Sequence, residues 1–170
     1  TFTRGTAHTK GEIRSMKVCF YDLCMDDEYH PVLQEIRSVD VGNCIRSAAE
    51  VAEFFENSVQ LSKCAEEYVY ILCMNSVGRI LGAFEVGHGT CRTALIDRRG
   101  IAIRILLCGA SEVIFVHNHP GGSLKFSEPD LESLDALREL CELLCVKLKD
   151  GIIVSPEGYA GYLTTFHEEP

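Results

Sequence analysis

The chain is 170 residues of 18.9 kDa, 46% hydrophobic and 24% charged, the balance of one globular domain with a small appendage. That composition excludes a disordered, collagenous or coiled-coil chain. A formal charge of −9, from 16 basic and 25 acidic residues, argues against broad binding to a phosphate backbone, and no apolar run approaches the ~20 residues that cross a bilayer. The polar start Thr1-Phe2-Thr3-Arg4-Gly5 carries no signal-peptide core, so the expected setting is cytoplasmic. The acid excess is even: the first 66 residues hold 7 basic and 11 acidic, the remainder 9 and 14. One basic group stands out, Arg92, Arg98, Arg99 and Arg104. Nine cysteines occur with no Cys-x-x-Cys, and most sit in apolar runs. They read as reduced, buried thiols, neither a disulfide framework nor a cysteine-ligated metal.

Along the chain, Thr1 to Arg14 is polar and reads as mobile. Met16 to Met25 is a candidate strand, followed by the acidic turn Asp26-Asp27-Glu28, and Ile36 to Val41 is another short strand. Residues 1–40 are set apart as an N-terminal extension of unknown role, and 41–170 as the main domain. Ser47-Ala-Ala-Glu50 is a capping box opening a helix that carries Val51, Phe54 and Phe55 and ends near Gln60. Tyr68 to Met74 and Ile80 to Val86, joined by Asn75-Ser-Val-Gly78, predict a β-hairpin. Arg98 to Cys108 places Ile101, Ile105 and Cys108 on one helical face, with Gly109 as the terminating residue. Glu112 to His117 is a short apolar strand. Ser127-x-x-Asp130 caps a helix over about 128–144. Val146 to Leu148, Ile152 to Val154 and Tyr159 to Leu163 are further short strands. Mixed strands and helices with hairpins predict an α/β or α+β sandwich.

The chemistry concentrates in His117-Asn-His119-Pro-Gly-Gly-Ser-Leu-Lys-Phe-Ser127-Glu-Pro-Asp130. His117 and His119, two apart at a strand end, project from one face. Asp130 lies in the first turn of the next helix, and the glycine-rich loop lets that helix start fold back over the histidines. Two imidazoles and one carboxylate, with no fourth protein ligand nearby, suit a catalytic zinc ion with a position open to water.

This string resembles the JAMM (MPN+, or JAB) metalloprotease motif, His-x-His-x7-Ser-x-x-Asp, which His117, His119, Ser127 and Asp130 match without spacing error. The form His-Asn-His-Pro is similar to the RadC branch. Leu81 to Thr90, Ala94 to Leu107 and Leu144 to Val154 resemble that domain in the same order, covering about residues 45–165. The helix-hairpin-helix DNA-binding segment of full-length RadC proteins is not recognisable. Gly121 and Gly151 depart from the usual RadC residues and read as loop variation.

The resemblance implies a single MPN/JAB-like domain: a central mixed sheet flanked by helices, a cytidine-deaminase-like three-layer sandwich. It implies Zn²⁺ held by His117, His119 and Asp130. It also implies a glutamate upstream as general base, for which Glu85 is the candidate and His88 a rival polar group. Ser127 would both cap its helix and hydrogen-bond the oxyanion. The expected activity is hydrolysis of peptide or isopeptide bonds, with a peptide, a protein or a ubiquitin-like modifier as substrate. The alternatives are a role in DNA repair or mobile-element metabolism, which the charge disfavours, and a non-catalytic MPN interaction module.

Overall fold

The computed structural model describes residues 16–41, 45–89 and 97–163. Its elements in chain order are β1 (Met16–Met25), β2 (Pro31–Val41), α1 (Ala48–Val59), β3 (Glu67–Met74), β4 (Ile80–Gly89), α2 (Arg98–Cys108), β5 (Glu112–Asn118), α3 (Glu128–Leu143), β6 (Lys147–Ser155) and β7 (Gly158–Gly161). The strands form one seven-stranded sheet in the order β2-β1-β4-β3-β5-β6-β7. The sheet is mixed: β1 runs parallel to β4 and β5 parallel to β6, and the other pairs are antiparallel.

Strand alternation divides the interior into two cores. One face of the sheet sends Phe20, Tyr70, Leu72, Ala83, Ile114 and Val116 against Val51, Phe54 and Phe55 of α1. The other sends Val69, Ile71, Phe84, Val113 and Phe115 against Ile101 and Ile105 of α2 and Leu134 and Leu137 of α3. The result is the expected three-layer sandwich. Residues 16–41 belong to this same sheet: β1 lies beside β4, and its Val18 and Phe20 are buried in the α1-side core.

Ser47, Gly109 and Ser127 act as the sequence predicts, and Asp97 adds a cap to α2. Ser47 accepts from the Glu50 N–H (3.2 Å), and Glu50 reaches back to the N–H of Arg46 (2.5 Å), one residue before the cap. Asp97 caps α2 through the Gly100 N–H, and Gly109 ends it at φ +65° with its N–H on the last-turn carbonyls. Ser127 and Asp130 form a reciprocal capping box at α3.

Three expectations need correction. β2 begins at Pro31, five residues earlier than its apolar pattern shows; it is an edge strand, where proline is tolerated and most side chains stay exposed. A bulge leaves Ile36 between Glu35, paired with Tyr21, and Arg37, paired with Phe20. The two short strands near 146–154 are one, β6. Asp150-Gly151 resembles a turn, yet Asp150 is buried and its Oδ1 accepts from the N–H of Gly151, Tyr162 and Leu163. Gly151 is therefore no loop variant. It lies inside β6, where a Cβ would stand 2.5 Å from Leu134 Cδ2, so glycine allows α3 its close approach to the sheet.

The described cysteines, 19, 24, 64, 73, 108, 141 and 145, are free thiols, with Cys73 and Cys141 buried and Cys145 exposed. Among the described residues, no helix is long and apolar enough to cross a membrane.

Candidate metal centre

The site forms where β5 ends and α3 begins, at the carboxyl ends of the parallel β5–β6 pair. His117 is the penultimate residue of β5 and is fully buried; its ring lies against Phe115 (5.4 Å), His119 (4.8 Å) and Phe126 (5.9 Å). His119 follows the strand, anchored by its N–H on Val154 O (3.0 Å). The loop then turns at Gly122, whose φ of +84° a side chain would strain. This turn carries the chain to Ser127 and the start of α3. Asp130, in the first helical turn, faces both imidazoles.

Three side chains converge. His117 Nε2 lies 3.1 Å from His119 Nε2 and 3.2 Å from Asp130 Oδ1, and His119 Nε2 lies 3.3 Å from Asp130 Oδ2. A tetrahedral zinc ion with ligands at ~2.0–2.1 Å has ligand–ligand edges of about 3.3–3.4 Å; the two imidazole–carboxylate contacts run to different oxygens, and one ligand atom from each residue lies within 4.8 Å of the others, so small shifts bring the three to that spacing. The donor chemistry fits as well. The Nδ1–H of His119 donates to Ser123 O (2.9 Å), so once Nε2 gives up the proton it shares with Asp130, its lone pair is the one aimed into the group. Nδ1 of His117 is buried with no hydrogen-bond partner, so nothing on that side competes with Nε2 as the reactive nitrogen. Among the described residues, these three are the group of His, Cys, Asp and Glu side chains able to hold a metal ion.

The electrostatics agree. Burial alone would raise the Asp130 carboxyl, but hydrogen bonds from His117, His119 and Ser127 outweigh it and hold the group ionised far below the usual carboxylate range. His119 is raised, chiefly by its hydrogen bond to Asp130 against the opposing effect of burial, with a further contribution from the charge of Glu67. Ser127 holds Asp130 twice, through its N–H (2.7 Å) and its hydroxyl (2.6 Å), both on Oδ2.

Glu85 does not join the group. It shares the α1 face of the sheet with Tyr70 and Ala83, whereas His117 shares the opposite face with Val69 and Phe115. Its carboxylate accepts from Tyr70 Oη (3.2 Å); burial and that negative charge push the phenol's pKa up. His88 is on the α1 face too, stacked on Tyr68 (4.1 Å) and bonded to Glu66 (2.6 Å).

The carboxylate on the metal-site face is Glu67, which sequence reasoning passed over. β3 pairs Val69 with His117 in antiparallel register, so two residues further along each chain come Glu67 and His119. A signal was present: Glu67 opens a strand whose alternate residues Val69, Ile71 and Cys73 all face the core. The partner strand that gives this position meaning lies fifty residues away, and no local pattern reveals it.

Of the basic group, Arg92 and neighbouring Thr90 lie outside the described residues. Arg98 pairs with Glu139 (3.1 Å), and Arg104 donates to Gly100 O (3.1 Å).

Comparison with known proteins adds a family. Residues 45–167 match the model of the RadC-like JAB domain. A UPF0758 protein of Thermotoga maritima is 31% identical over 124 residues, 69% of this chain and 56% of that protein. One from Finegoldia magna is 33% identical over 105 residues, covering 62% of this chain and 46% of the relative. One from Chlorobaculum parvum is 28% identical over 123 residues, 72% and 54%. The chain thus spans about half the length of the curated relatives it matches.

Proposed function

The chain belongs to the RadC-like JAB domain family, and from that premise we propose that it is a metal-dependent hydrolase of peptide or isopeptide bonds. The observation that carries this reading is the convergence of His117, His119 and Asp130 on one point beside a helix cap. Bound there, a zinc ion would supply Lewis acidity, bringing the pKa of a water toward ~7 and polarising a carbonyl.

The chain's own residues do the rest. Ser123 O fixes the His119 tautomer, and Ser127 fixes Asp130, so the three donor atoms need little reorganisation. Glu67 is the proposed general base: it takes the proton of the attacking water and returns it to the leaving amine. Ser127 is the proposed oxyanion donor. Its hydroxyl donates to Asp130 Oδ2, and rotation about Cα–Cβ frees it while the Ser127 N–H keeps the carboxylate in place. Phe126, backed by Tyr162 (5.3 Å), walls the site against water on one side. A peptide or protein chain, with a ubiquitin-like modifier among the candidates, is the proposed substrate.

Metal content of purified protein, measured by mass spectrometry, tests the centre. About one zinc per chain is expected, lost in His117→Ala and in Asp130→Ala. A protein that takes up no metal when zinc is offered overturns the proposal. With zinc bound, a peptide and isopeptide screen follows, in which Glu67→Gln, loaded at saturating zinc, must lose cleavage.

A further inference from the structure

Asn118 stands between the two metal-binding histidines and is buried, yet it does not face the site. Alternation turns its side chain to the other side of the sheet from His117. There it makes three hydrogen bonds, all to the segment that leads into β3. Its Oδ1 accepts from the N–H of Tyr68 (2.7 Å), and its Nδ2 donates to Glu66 O (2.9 Å) and Cys64 O (3.5 Å).

The location explains why a side chain is used. The β3–β5 ladder ends at Val69 and His117. Beyond it the strands part: Glu67 pairs with Gly89 of β4, and His119 bonds to Val154 at the end of β6. The parting makes room for the metal centre and leaves main-chain groups of residues 64–68 without a strand beside them on that side. An amide is the side chain that can accept from one and donate to two others. An aspartate offers no donor to the carbonyls, and a leucine offers neither function.

We propose that Asn118 is a positioning residue that locks the Glu66–Tyr68 backbone onto β5 and thereby holds the Glu67 carboxylate beside the histidine pair. The inference rests on the metal-hydrolase reading for the use made of Glu67, and on the three hydrogen bonds alone for the clamp. It makes His117-Asn118-His119 a two-sided device, with ligands on one face of the strand and the holder of the base on the other.

The test compares wild type, Asn118→Ala, Glu67→Gln and the double variant. It has two readouts: zinc affinity by competition with a chromophoric chelator, and hydrogen exchange at the Tyr68 amide. Asn118→Ala should speed Tyr68 exchange by about tenfold or more, since the amide loses its buried acceptor. Glu67→Gln should weaken zinc binding by about tenfold, as loss of a charged outer-shell partner does. Asn118→Ala should weaken it by a similar factor, and the double variant should be no weaker than Glu67→Gln alone. Should the alanine variant fail to fold, Asn118→Ser gives the same pattern at smaller amplitude, since its hydroxyl is too short to span the three partners. Multiplying factors in the double variant would mean that Asn118 acts on the ligands and not through Glu67, which overturns the proposal. Unchanged Tyr68 exchange overturns the clamp whether or not zinc binds, whereas failure of wild type to bind zinc overturns the hydrolase reading instead.

Discussion

Two imidazole–carboxylate clusters sit at the same end of the sheet on opposite faces. The shorter is His88 to Glu66 at 2.6 Å, with side chains 46% and 64% exposed. The longer ones join His117 and His119 to Asp130 at 3.2 and 3.3 Å, with His117 at 0% and Asp130 at 3%. Distance alone ranks the surface pair first. Burial reverses the order, because water screens the surface pair while the buried carboxylate has only its protein partners. Only the buried set also offers converging lone pairs to a cation. Function therefore follows from the desolvated cluster, and a short hydrogen bond is not by itself a sign of a site.

The largest expected effect lies at the buried end. Asp130→Ala should abolish metal uptake and turnover. In metal-free protein it should lower stability by ~1–3 kcal/mol, measured by urea unfolding, because His117 and His119 lose their shared hydrogen-bond partner and the capping box of α3 loses its carboxylate. Next, Glu67→Gln should cut kcat by ~10²–10⁴ when measured at saturating zinc. Glu85→Gln, on the α1 face, should leave kcat unchanged, and the reverse result would invert the assignment of faces. Ser127→Ala should remove an oxyanion donor, lowering kcat by ~10²–10³. The lost helix cap should cost about 1 kcal/mol, so rate and melting temperature read its two roles separately. At the small end, Glu66→Gln should change stability by less than ~1 kcal/mol. A larger loss there would mean that the surface pair is less screened than its exposure indicates.

The same contrast marks what the sequence could tell. The candidate metal group and the expected helix caps are local features: His117, His119, Ser127 and Asp130 occur within fourteen residues, and Ser47 and Gly109 act on their own helices. Those were legible. The face of Glu67 was not, because the pairing of β3 with a distant strand sets it. The face of Glu85 was not either: it ends an expected hairpin strand, and a bulge at Val86 and simple alternation set it on the α1 side. β6 hid behind Asp150-Gly151, since a buried aspartate satisfied by backbone N–H groups looks, in one dimension, like a turn.

One consequence of the fold lies at its far edge. β2 is an eleven-residue outer strand, a length that would template the edge-on addition of further chains. The bulge at Ile36 breaks the run of evenly spaced N–H and C=O groups midway. Beside it, Arg37 turns back over the ring of Phe20 (4.1 Å) and donates to Ser58 O (2.8 Å), which ties the bulged segment to α1. Together with Pro31 at its start, these features end the sheet in a form that resists fibrillar growth.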